Sequence, residues 1–117
     1  MERLRKRASF KAVASGRRVS REGFVLQGLR AADDDSRSAR FGFTVTKKIG
    51  NSVVRNRIRR RLREAVRLAG NKAEPDMDYV LVGRRAALSL EFERLVADLL
   101  TGFTALAKRD EASKPKP

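Results

Sequence analysis

Between Val54 and Arg63 the sequence reads VRNRIRRRLR, six arginines in ten residues. No other stretch restricts the fold as much. On a helix turning about 100° per residue the run separates into two faces. With Ile58 at zero, Val54, Leu62, Ala65 and Ala69 fall within about 40° of it. Asn56, Arg60, Arg63 and Arg67 fall on the opposite side, at about 140–200°, with Arg57 and Arg59 flanking them. Arg55 and Arg61 border the apolar stripe at about 60° on either side. A fold that holds this helix must offer an apolar seat to one side and leave the other uncovered, because buried unpaired guanidinium is costly.

The uncovered side is uncompensated. Residues 52–69 contain seven arginines and one carboxylate, Glu64. An ordinary surface helix mixes signs so that residues four apart attract. Arginine in place of lysine also has a meaning, since its planar fork grips phosphate and stacks on bases. Asn56 adds a donor and an acceptor suited to a base edge or a sugar hydroxyl. The whole chain carries 28 Lys and Arg against 14 Asp and Glu, a net charge of +14. The excess is uneven: residues 37–72 hold 12 basic residues and one acid, and the last third is near balance. This asymmetry predicts a nucleic-acid partner rather than mere solvation.

The 117 residues suit one domain, expected over 1–108, with a disordered basic tail over 109–117. No apolar run approaches the length of a membrane span, and no apolar signal core follows the charged start MERLRKRASF. There is no cysteine, hence no disulfide framework or thiolate site. A cytoplasmic protein without membrane contact is expected.

Periodicity predicts a helix over 4–15 with Leu4, Phe10, Val13 and Ala14 on its apolar side. A short strand at Arg17–Ser20 and a strand over 24–31 follow, with Phe24 and Leu26 on one face and Val25 and Gln27 on the other. After a polar loop at 32–38, RFGFTVT (40–46) alternates as a half-buried strand, with Phe41, Phe43 and Val45 pointing one way. The strands 24–31 and 40–46 are expected to form an antiparallel hairpin. KKIGNS (47–52) connects to the arginine helix, which Asn51 or Ser52 caps. YVLVG (79–83) is apolar throughout and suits a strand covered on both faces. Ser89 is a candidate cap for a last helix with Phe92, Leu95, Val96, Leu99, Phe103 and Leu106 at helical spacing. The order describes a small α+β or α/β sandwich.

The chain has no histidine and no cysteine, which removes the commonest general base and the thiolate nucleophile. Metal-dependent nucleases gather carboxylates on a scaffold. Here the only acidic run is Asp33–Asp35, in the polar loop, and Asp76 and Asp78 read as turn chemistry before a strand. No residue is assigned a catalytic or metal-binding role, and the chain reads as a binder of a polyanion.

The run KKIGNSVVRNRIRRRLREAVR (47–67) strongly resembles the signature of the bacterial ribonuclease P protein component, centred on Arg55-Asn56-Arg57. RLRKRASFKAV, FVL (24–26), FGFTVTKK and DYVLVGRRAA (78–87) match comparable stretches, so the resemblance spans about residues 3–107. It implies an αβββαβα fold around a four-stranded sheet with a left-handed βαβ crossover, like domain 2 of ribosomal protein S5. It implies a holoenzyme in which a large catalytic RNA carries the Mg²⁺ site and removes the 5′ leader of precursor tRNA, with one monomeric protein per RNA. The resemblance carries Arg55, Asn56, Arg57, Arg59, Arg60 and Arg63 over as the motif facing that RNA, with Lys47, Lys48 and Asn51 in the connector and Arg67 one turn beyond. It makes Phe10 an aromatic beside the leader cleft, with Lys11, Arg17 and Arg18 nearby and Arg21 held more loosely at the rim. Two departures stand out: Ala14 and Gln27 occupy positions where relatives carry aromatics. The competing readings are a structural RNA-binding protein such as a ribosomal one, a helix-turn-helix regulator and an independent nuclease.

Overall fold

Strand β5 (Met77–Gly83) is the apolar run expected to be covered on both sides, and it occupies the middle of the sheet. The structure, a computed structural model, describes residues 2–4, 6–30 and 38–113. Along the chain come β1 (Glu2–Arg3), α1 (Arg7–Ala14), β2 (Arg17–Ser20), β3 (Phe24–Arg30), β4 (Arg40–Thr44), α2 (Ser52–Ala69), β5 and α3 (Phe92–Ser113). Four strands in the order β4-β5-β3-β2 make a mixed sheet, and the two-residue β1 adds to the β4 edge. β5 runs antiparallel to β3, with Leu26 opposite Leu81, and parallel to β4, with Phe41 opposite Tyr79. The element order is the expected αβββαβα, preceded by β1.

The expected hairpin between residues 24–31 and 40–46 does not form. β3 and β4 run in opposite directions, but β5 lies between them. Burial explains the insertion. Residues 77–81 and 83 are all buried, and a strand apolar on both faces cannot sit at a solvated edge. The polar loop expected at 32–38 lies outside the described residues apart from Ser38.

Side-chain alternation divides the core. Tyr79 and Leu81 face α2 and α3 with Phe24, Leu26 and Phe41, whereas Val80 packs with Leu4 and Val13 under α1. Three rings lock the first layer. Phe41 stacks on Tyr79 at 5.2 Å between centroids, and Phe103 of α3 meets Tyr79 edge-on at 5.1 Å. The Tyr79 hydroxyl accepts the Glu74 N–H at 3.1 Å, so the buried phenol keeps a polar partner. At the end of the sheet Arg40 and Asp78 form a two-point pair, both bonds 2.9 Å, linking β4 to β5.

Three boundaries differ from expectation. α1 begins at Arg7 rather than at residue 4, because Leu4 extends the β1 path and donates its N–H to the Phe41 carbonyl at 2.8 Å. Ser89 closes the 3₁₀ turn Arg85–Leu88 instead of capping α3, which begins at Phe92. α3 continues through Ser113, so residues 109–113 are helical rather than tail. No glycine or proline interrupts RDEAS, and Pro115 is the next residue that opposes a helix. Residues 114–117 of the expected tail lie outside the described residues.

α2 seats on this sheet through Ile58, Leu62, Ala65, Val66 and Ala69, all buried. The approach is close at Gly83, where a Cβ would stand 2.6 Å from Cγ2 of Ile58 and 3.0 Å from Cγ2 of Val45. Gly83→Ala is therefore expected to destabilise the domain by about 1–3 kcal/mol through overpacking. The measurement is a lower urea midpoint at unchanged slope. An unchanged midpoint would mean that α2 shifts without cost.

Candidate nucleic-acid interface

Seating one side of α2 turns the other outward. Asn56, Arg57, Arg60, Arg63 and Arg67 are exposed, while Arg55 and Arg59 are half-buried. Arg55 lies partly against the protein, and its Nε is buried without a hydrogen-bond partner. Asn51 is the N-cap: its Oδ1 accepts the Val54 N–H at 3.0 Å, which fixes where the helix starts. Lys47 and Lys48 are exposed on the 3₁₀ turn Lys47–Ile49 just before it.

Contacts within the face limit what each group can offer. The Asn56 Oδ1 accepts from Nη1 of Arg59 at 3.0 Å, which leaves the Asn56 amide N–H groups to face outward as donors. Arg67 donates to Glu64, with contacts of 2.8 and 2.6 Å. The hydrogen bond from Arg67 holds the Glu64 carboxyl below its ordinary range, and Glu64 raises Arg67 in return. Arg67 thus reaches solvent already partly neutralised, unlike Arg57, Arg60 and Arg63.

The face leads into a recess. Arg3, Leu4, Phe10, Gly42, Phe43, Arg59 and Arg63 surround a hollow of about 500 Å³ beside strand β4. The Phe10 ring lies against Gly42, where a Cβ would approach it to 2.5 Å, so only glycine lets α1 come this close. The Arg63 guanidinium stands 5.8 Å from the Phe43 ring centre, within cation–π range. Arg59 and Arg63 from the motif and Phe10 from α1, far apart in sequence, therefore line one concavity. A larger hollow, about 590 Å³, lies at the far end of α2 beside Ser38 and Pro75, and gathers a single arginine, Arg67.

The sequence reading missed Arg3 and Phe43. The strand alternation aimed Phe43 at the core, and it does pack there in part, but it remains half-exposed near the end of β4. Arg17 goes the other way. β2 pairs Arg17 with Gly28 and Val19 with Leu26, on the face toward α3. Alternation puts Arg18, opposite Gln27, on the α1 side. Arg17, grouped with Phe10 from the sequence, belongs to the opposite face. Lys11 is exposed on α1, as is Ala14, and Gln27 is buried. The Arg21 guanidinium turns back to its neighbour and donates to the Ser20 carbonyl at 3.0 Å.

The fold and this face define a class: a small α+β domain presenting a guanidinium helix to a polyanion. The chain belongs to the Ribonuclease P family, whose model matches residues 1–107. It is 57% identical over 100 residues to the ribonuclease P protein component of Gluconacetobacter diazotrophicus, covering 83% of this chain and 84% of that one. It is 43% identical over 119 residues to that of Brucella suis, covering 96% and 84%. The fold matches the RNase P protein of Staphylococcus aureus with a TM-score of 0.71 at 26% identity, over 92% of this chain and 96% of that one. It matches the RNase P protein of Thermotoga maritima with the same TM-score at 25% identity, over 86% and 94%.

The Glu64–Arg67 pair gives a pH-dependent prediction. The folded Glu64 carboxyl titrates below its unfolded value, so its contribution to stability is present above the unfolded value and is lost as pH falls through the lowered one. Both groups are exposed, and the contribution is small. In Arg67→Ala the Glu64 carboxyl should return toward the ordinary range, read by carbon-detected NMR titration. An unmoved titration would show that the pair does not persist in solution.

Proposed function

We propose that the chain is the protein subunit of ribonuclease P, binding the catalytic RNA through α2 and the 5′ leader of precursor tRNA beside α1. The holoenzyme then cuts the leader endonucleolytically to give the mature tRNA 5′ end. One observation carries this reading: an exposed, uncompensated arginine face that runs directly into the recess beside Phe10. The forks of Arg57, Arg60 and Arg63 suit phosphate oxygens of a folded RNA. Asn56, its oxygen held by Arg59, offers N–H donors to an acceptor on a base or sugar. A base stacked on Phe10 gains contact without sequence preference, which suits leaders of varied sequence. With Ala14 and Gln27 in place of further aromatics, this cleft relies more on polar and phosphate contacts.

The chemistry belongs to the RNA. Among the described residues no three Asp or Glu side chains come together as a metal cage, and the recess is lined by arginines. This donor set does not fit Mg²⁺, so the metal of the holoenzyme is assigned mainly to the RNA, whose phosphates are hard oxygen ligands. The protein's contribution is charge neutralisation and positioning of the leader. It acts as a monomer, one per RNA, in the cytoplasm. Among the described residues no helix is long and apolar enough to cross a membrane.

Reconstitution tests the proposal. Purified protein is added to a bacterial ribonuclease P RNA at low Mg²⁺, and removal of the leader from precursor tRNA is followed. Activity is expected only with both components, and cleavage by the protein alone would overturn the reading. A structural RNA-binding protein would bind without raising cleavage.

Salt dependence tests the face itself. Arg60→Ala or Arg63→Ala should make the log–log dependence of RNA affinity on salt shallower by about 0.7–0.9 per lost phosphate contact. An unchanged slope would count against direct phosphate contact.

A further inference from the structure

One arginine of the run is not part of the face. Arg61 is half-buried and turns toward the segment between β5 and α3. Its Nε donates to the Ala87 carbonyl at 2.8 Å, and its Nη2 donates to the Leu90 carbonyl. Ala87 lies within the 3₁₀ turn Arg85–Leu88, and Leu90 lies two residues before α3. Among the described residues no carboxylate is in ion-pair range of Arg61. Two peptide dipoles hold the charge, and the planar fork reaches both carbonyls at once.

The same turn grips the chain before α2. Arg85 donates through Nη1 to the Ile49 carbonyl at 2.7 Å. Ile49 ends the 3₁₀ turn that leads to the Asn51 cap. A single segment therefore holds the arginine helix at its entrance, through Arg85, and at its middle, through Arg61. Apolar contact is non-directional, so the stripe constrains rotation about the helix axis less sharply than hydrogen bonds do. The Arg61 fork limits that rotation, because the two bonds are directional.

We infer that Arg61 is a positioning residue. It makes no contact with RNA, and its two carbonyl bonds fix the rotation of α2 that aims Asn56, Arg60 and Arg63 outward. This rests on the RNA-binding reading of α2. A charge committed to carbonyls releases no counterions when RNA binds, so its loss leaves the salt slope alone. A rotated face meets the phosphates less well, so affinity falls at every salt concentration.

The test measures affinity of the full chain for ribonuclease P RNA across a salt series, for wild type, Arg61→Ala and Arg61→Lys. Circular dichroism at the assay temperature shows that each is folded. Arg61→Ala should weaken binding several-fold along a line parallel to wild type. Arg61→Lys, which keeps the charge and ammonium donors but not the planar fork, should recover part of the loss at the same slope. If Arg61→Ala is unfolded under assay conditions, Arg61→Lys carries the test, and wild-type affinity in that variant would overturn the inference. A slope shallower by about 0.7–0.9 in Arg61→Ala would overturn it in favour of a phosphate contact. Unchanged affinity in folded Arg61→Ala would reduce Arg61 to a plain stabilising residue. Failure of wild type to bind the RNA would sink the RNA-binding reading instead.

Discussion

The structure depends on the contact between the apolar stripe of α2 and the sheet at β5. Ile58 and Leu62 are completely buried there, and each such side chain contributes about 1.5–3 kcal/mol of transfer free energy. That contact opposes a repulsion built into the same helix, where six arginines occupy ten residues. Hydrophobic seating on one side and like charge on the other have a common geometric solution: Arg57, Arg60, Arg63 and Arg67 point away from the core. The binding face results from the packing and is not an addition to it.

Much of this was legible in the sequence, because helical periodicity survives tertiary context when the stripe is long. Ile58, Leu62, Ala65 and Ala69 are buried as their spacing implied, and Asn51 is the cap. Strand partnership was not legible. Alternation in FGFTVT and in FVLQGLR describes which residues share a face, but it carries no information on which strand lies alongside. The central place of β5 follows from burial of residues on both its faces, and the sequence displayed that only as an apolar run.

The site was legible in part, along the same line. The outward arginines could be placed from helix angles alone. The recess could not, since it forms where α1, β4 and α2 meet, and Arg3 and Phe43 join it only through the fold. Arg61 illustrates the limit. By angle it sat at the border of the stripe, mirrored by Arg55, and nothing in the spacing said that backbone carbonyls would meet one of the two. Arg17 shows the opposite limit: one step of strand alternation separates it from Arg18 and sends it to the other side of the sheet.

The placement of β5 between β3 and β4 also has a kinetic consequence. The strand is made after the arginine helix and bonds to both neighbours, so no stable sheet can close while the chain ends before residue 83. Loop closure over long sequence separations is slow, and it must be completed before these contacts stabilise anything. Until then α2 is a charged segment without a seat. On the ribosome the face for the polyanion would mature late, in one cooperative step with the core, rather than being displayed early by a half-finished chain.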